Sequence, residues 1–132
     1  MRWSFLAIPM VLANSAAAQE DVSWGEHFYQ QNCSVCHGEM ARGDGELADL
    51  LTIPVPDLTT LSEANDGEFP MLDVIHVIDG RSGLRAHQEP MPVYGALFRE
   101  ELRGDMDFDG AVEPLIRGRT LSIAEYLMSI QR

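Results

Sequence analysis

The chain has 132 residues, with 9 basic against 21 acidic side chains and a formal net charge of −12, and every basic residue is arginine. That length suits one compact domain and leaves no room for two independent cores. The negative charge repels nucleic acid and anionic membrane surfaces, so neither is an expected partner.

Residues 1–18 read as a secretory signal peptide. Arg2 supplies a basic start, Phe5 to Ala13 an apolar core, and Ala16-Ala17-Ala18 a small-residue cleavage site. An uncleaved anchor needs roughly 20 apolar residues to cross a bilayer, and here the apolar run is followed closely by Gln19, Glu20 and Asp21. Cleavage after Ala18 leaves residues 19–132 as a single domain, with no membrane insertion thereafter, and removes Arg2, which deepens the negative charge by one.

The next segment predicts a helix from Ser23, whose side chain can cap the first turn while Glu26 reaches back in the capping-box arrangement. Trp24 and Phe28 share one face of it, Gly25 and Tyr29 the adjacent one. It runs into the only two cysteines, in "QNCSVCHG", Gln31 to Gly38. Beyond them the chain is rich in glycine and broken by Pro54 and Pro56, which predicts loop with one short helical turn at 46–51. "PMLDVIHVI", Pro70 to Ile78, predicts a short buried helix stopped by Asp79-Gly80. Periodicity alone does not separate that run from a strand. A helix follows over 93–103, then the acidic turn "GDMDFDGAVEP". Ile123, Tyr126, Leu127 and Ile130 fall at the offsets of an amphipathic C-terminal helix starting at Thr120 or Ser122. With no internal repeat and no alternating strand, the expected fold is all-α with long loops.

Four chemistries compete for Cys33 and Cys36. A disulfide across so small a loop stabilises little. A thiol-disulfide oxidoreductase places Cys-x-x-Cys at the start of a helix after a strand, and no such pattern surrounds it. Zinc needs two further ligands, and His27, His76 and His87 have no paired spacing. The fourth reading uses His37 as well, because Cys-x-x-Cys-His is the attachment signature of haem c. Two thiols about one helical turn apart can add to the two porphyrin vinyl groups, and the adjacent imidazole then binds iron. Export agrees, since such haem is attached outside the cytoplasm.

With these residues the chain resembles the class I c-type cytochromes, bacterial periplasmic proteins with one covalently bound haem c and His/Met ligation. In that family the N-terminal helix carries a glycine and, four residues later, an aromatic before the motif, as Gly25 and Tyr29 do here. The C-terminal helix packs an aromatic at that glycine, and Tyr126, beside Ile123 and Leu127, is its counterpart. Only a residue without a side chain lets two helix backbones approach that closely. Pro56-Asp57-Leu58 looks like the family step whose proline carbonyl accepts the hydrogen bond from the haem histidine, with Pro54 as the alternative. Such a bond fixes the imidazole and strengthens it as an iron donor. The resemblance spans about residues 23 to 130.

The sixth ligand decides between electron transfer and an open, reactive iron. Met40 lies too close to His37, Met128 belongs to the C-terminal helix, Met71 starts a helix, and Met106 sits in the acidic turn. Met91, in "EPMPVYG", is flanked by Pro90 and Pro92 and resembles the family's Met-Pro ligand loop. A rigid loop holds a weak thioether donor at little entropic cost. His87 is the alternative. Asp105-x-Asp107-x-Asp109-Gly110 matches the opening of a calcium loop, but position twelve is Ile116 where a bidentate glutamate is required, which favours a solvated acidic turn. Arg42, Arg81 and Arg85 are candidates for the haem propionates, while His27 and His76 read as a helix-surface and a helix-interior residue without chemistry.

The resulting expectation is a monomeric periplasmic carrier of single electrons rather than an enzyme, its iron cycling between Fe(II) and Fe(III). The alternative is a haem c electron-transfer subunit of a periplasmic dehydrogenase or oxidase. Redox protein partners with a basic docking face complement the charge.

Overall fold

The computed structural model describes residues 16–80, 91–105 and 109–132, with side chains outside 16–22, 104, 105 and 109. Five α-helices are seen in this part of the chain: α1 (Ala16–Asn32), α2 (Ser34–His37), α3 (Met71–Asp79), α4 (Tyr94–Asp105) and α5 (Val112–Ser129). Short 3-10 turns occur at Ala48–Leu50, Leu58–Thr60, Glu63–Asn65 and Asp109–Ala111. No strand occurs among the described residues, so the fold is all-α. None of their helices is long and apolar enough to cross a membrane.

The expected start at Ser23 is corrected, because α1 begins at Ala16 and Ser23 lies inside it. The alanines ahead of Ser23 are the strongest helix formers, and no breaker separates them from it. The C-terminal helix likewise starts at Val112 rather than at Thr120 or Ser122. Pro114 falls in its first turn, where the N–H it lacks has no partner to lose. Gly118 faces open space. By contrast, α3 and α4 lie within two residues of their expected bounds, and Gly80 caps α3 as the Asp79-Gly80 stop predicts.

Helices α1 and α5 cross at Gly25. A Cβ placed there would lie 2.0 Å from the Ser122 carbonyl oxygen and 2.9 Å from Cβ of Tyr126, so the crossing distance exists only because the side chain does not. One turn on, the rings of Tyr29 and Tyr126 meet at 5.3 Å. Val112, Ile116, Thr120, Ile123 and Leu127 run down the buried side of α5 at three- and four-residue intervals. Phe98 and Leu102 of α4 and Val74 and Ile78 of α3 complete the core. Each such side chain contributes on the order of 1.5–3 kcal/mol on leaving water. Arg119 lies between the rings of Phe28, at 5.2 Å, and Phe98, at 5.5 Å, and pairs with Glu101 at 2.8 Å.

The expectation of an α3 buried on several sides is only half met. Val74 and Ile78 are buried, Met71, Ile75 and Val77 half-buried, and Leu72 exposed. His76, expected in the helix interior, is exposed as well. With α5 covering one face and a cleft the next, a remaining face stays in water.

Candidate functional site: an apolar cleft beside the cysteine motif

The cysteine motif continues α1 almost without a break. The amide of Cys33 donates to the Tyr29 carbonyl at 2.8 Å, and that of His37 to the Cys33 carbonyl at 2.9 Å. This single turn brings both thiols and the imidazole to one end of the α1–α5 pair. Cys33 and His37 are buried and Cys36 half-buried, with both cysteines unbridged.

The following loop folds back onto the turn. Gly43, Gly45 and Leu47 donate their amides to the carbonyls of His37, Cys36 and Val35 at 2.8, 3.1 and 3.0 Å. These are carbonyls that a four-residue helix cannot satisfy itself. A Cβ on Gly45 would lie 2.5 Å from the Val35 carbonyl oxygen, so the return passes too close for any other residue. Ala41, fully buried with φ 59°, accepts the Leu58 amide at 2.8 Å and so fastens this loop to the Pro56-Asp57-Leu58 step.

Asp57 caps the 3-10 turn after that step, accepting from the Thr59 amide at 2.9 Å and the Thr59 hydroxyl at 2.6 Å. Residues beyond α5 hold the same segment. Gln131 donates to the Leu58 carbonyl at 2.8 Å and accepts the Ser62 amide at 2.9 Å. Arg132 donates to Asp57 at 2.6 Å and to the Thr59 hydroxyl at 2.7 Å. These donations from Thr59 and Arg132 hold the Asp57 carboxyl below the usual carboxylate range, with the Thr59 hydroxyl contributing most.

Beside this wall lies an apolar cleft of about 270 Å³. His37, Pro56, Leu58 and Leu61 line it from the first half of the chain, Val74, Val77 and Ile78 from α3, Leu127 from α5, and Met91 from the segment before α4. Asp73 is the carboxylate among the lining residues. The cleft therefore brings together His37, Pro56 and Met91, which are far apart in sequence. Tyr94, three residues after Met91, donates its hydroxyl to the Asn32 carbonyl at the junction of α1 and α2. That bond ties the Met91 segment to the cysteine motif, and burial pushes the Tyr94 phenol up to about 12. In the sequence Tyr94 stands out only as part of "EPMPVYG". Asp73 and Leu127 gave no sequence signal as cleft residues, since their convergence depends on how α3 and α5 pack.

Among the remaining candidates, Arg42 is exposed on the loop after α2. Pro54 does not line the cleft, whereas Pro56 does. His87, Arg81, Arg85, Met106 and Asp107 lie outside the described residues, as do the side chains of Asp105 and Asp109.

The geometry separates the rival chemistries of the two cysteines. A reactive dithiol needs a thiolate stabilised near neutral pH, yet burial, with Cys36 adding to it, pushes the Cys33 thiol up to about 12. A zinc site needs converging ligands, and among the described residues no three of His, Cys, Asp and Glu gather closely enough to hold a metal ion. Haem c asks for two unbridged thiols a turn apart, an imidazole next to the second, and apolar walls for a porphyrin, all of which the residues supply. A family model described as Cytochrome c matches residues 22–104, a span that holds the motif, the Pro-Asp-Leu step and Met91. Comparison with curated proteins and with solved structures yields no match.

Proposed function

Since the chain belongs to the cytochrome c family, we propose that it is a periplasmic carrier of single electrons, with one haem c bound through thioethers at Cys33 and Cys36 and ligated by His37 and Met91. When bound, the haem supplies a one-electron Fe(II)/Fe(III) couple. The observation that carries this reading is that His37 and Met91 line the same apolar cleft.

Each residue has a task that its own chemistry explains. Cys33 and Cys36 would fix the porphyrin permanently, so no affinity would have to be maintained by the small core alone. His37 would donate an imidazole nitrogen to iron, and Pro56, lining the same cleft, would be the acceptor that sets its ring orientation. Met91, lining the same cleft, would offer iron a soft, neutral thioether, which would favour the lower charge and so a higher potential than a second histidine would give. The aliphatic walls exclude water, which again favours the less charged state. With His37 and Met91 both engaged, the protein would pass electrons without binding a substrate.

The test is the absorption spectrum of the purified protein in both redox states. The expected result is covalently held haem and, in the oxidised protein, the weak near-red band of thioether-bound ferric iron. Met91→Ala should abolish that band and let the reduced protein bind carbon monoxide. A band that persists in Met91→Ala rejects Met91 as the ligand. Export is tested separately, since the periplasmic protein should begin at Gln19.

A further inference from the structure

We propose that the surface built by α2 and the loop that folds back on it docks a basic electron-transfer protein, with Val35, Met40 and Leu47 as its apolar centre and Glu39, Asp44 and Glu46 as its charged rim. This rests on the carrier reading above and locates where on the chain the exchange takes place.

Three large apolar side chains stand in water here. Val35 is 43% exposed, Met40 64% and Leu47 40%, and the Leu47 amide binds the Val35 carbonyl, so two of them are neighbours across the fold-back. Val35 and Met40 also line one open groove of about 490 Å³, together with Glu39, Asp44 and Glu46. Exposed apolar groups collected at one place and rimmed by charge mark interaction surfaces, and methionine is enriched in the buried centres of interfaces. Scattered single apolar residues would carry no such meaning.

The rim selects the partner. Glu39, Asp44 and Glu46 are all exposed, and none is in an ion pair among the described residues. Their field is therefore available to an approaching molecule. Three carboxylates against the lone Arg42 in this loop suit a partner face rich in lysine or arginine, which they attract and orient before contact.

The surface is also built to hold its shape. Amides of Gly43, Gly45 and Leu47 clasp the carbonyls of His37, Cys36 and Val35, and Ala41 is buried beneath the loop. Little ordering remains to be done on docking. Val35 lies between the two haem-anchoring cysteines in sequence, so a partner seated here stands against the motif itself. One electron then crosses between the partner's redox centre and the haem, one centre losing what the other gains, and no bond forms or breaks.

Mitochondrial cytochrome c, a basic redox protein, serves as the probe. Titrated into the isotope-labelled, haem-loaded reduced protein at low salt, it should shift backbone amides over residues 34–50. Shifts centred elsewhere overturn the proposal. The variant E39Q/D44N/E46Q should slow electron exchange with the probe about tenfold at low salt and flatten its salt dependence. The control E63Q/D66N/E68Q, with the same charge change on another exposed turn, should slow it less than about twofold by screening over distance. Equal losses in the two variants also overturn it. Val35→Ser with Met40→Ser should weaken exchange while leaving the salt slope intact. Reduction by a small neutral reagent reports the haem independently. A wild-type protein that fails there, or lacks the haem spectrum, fails the carrier reading rather than the docking surface.

Discussion

The Tyr29 hydroxyl donates a 2.6 Å hydrogen bond to the Gly38 carbonyl, reaching from α1 past the cysteine turn to the residue that follows His37. The ring is fully buried, and burial, with Tyr126 adding to it, raises its pKa above the usual phenol value of 10.0. Tyr29→Phe leaves the shape of the ring and removes the donor. It should cost about 1–2 kcal/mol at neutral pH, read by denaturant unfolding of the haem-loaded protein. The sign in alkali follows from the raised folded-state pKa. The contribution is fully present below pH 10 and is lost as pH rises past it, so the stability of the Phe variant should fall less steeply there.

Gly25→Ala is expected to destabilise the protein by about 1–3 kcal/mol even though alanine is the better helix former. The added methyl meets the Ser122 carbonyl oxygen at 2.0 Å, and backbone cannot rotate aside as a side chain would. A thermal melt that matches or exceeds the wild type would mean that α1 and α5 can slide apart freely.

Stability in acid should depend on Asp57. Its folded-state pKa is lowered, by Thr59 first and by Arg132 as well, so its contribution is present above the unfolded carboxylate pKa of 3.8 and is lost as pH falls through the folded value. Asp57→Asn should melt at a lower temperature than the wild type at pH 6, and the difference should shrink by pH 2. A constant difference across that range would place the effect in packing rather than in charge.

Arg119 should resist conservative exchange. Its planar guanidinium lies against Phe28 and Phe98 while pairing with Glu101, and lysine offers neither the flat face nor the fork. We expect Arg119→Lys to cost about 1 kcal/mol and not to recover the stability that Arg119→Ala loses. Full rescue by lysine would leave only the ion pair as its role.

Where the sequence is punctuated by proline and glycine, its elements are legible. Pro70 and Gly80 bracket α3, and Pro92 precedes α4. The first half of α5 is hidden by the same signals, since Pro114 and Gly118 argue against a helix, although Val112 and Ile116 already keep the spacing of Thr120, Ile123 and Leu127. His76 shows the opposite error, a polar residue in an apolar run that turns out to face water because periodicity does not say which sides have neighbours. At the site, Cys33, Cys36 and His37 form a local motif with a local geometry. Met91 could be read only from the composition of its loop, and its meeting with His37, Asp73 and Leu127 in one cleft is a product of closure over the whole chain.

That closure passes through the residues beyond α5. Gln131 and Arg132 hold the Leu58–Ser62 turn by side-chain bonds and by the Arg132 amide to the Thr59 carbonyl at 3.0 Å. The turn is thus part of the same cooperative unit as the α1–α5 crossing, despite lying in a loop. In hydrogen exchange the Ser62 amide should be as slow as the amides of α5, and it should open with them rather than with the exposed turn at Glu63–Asn65.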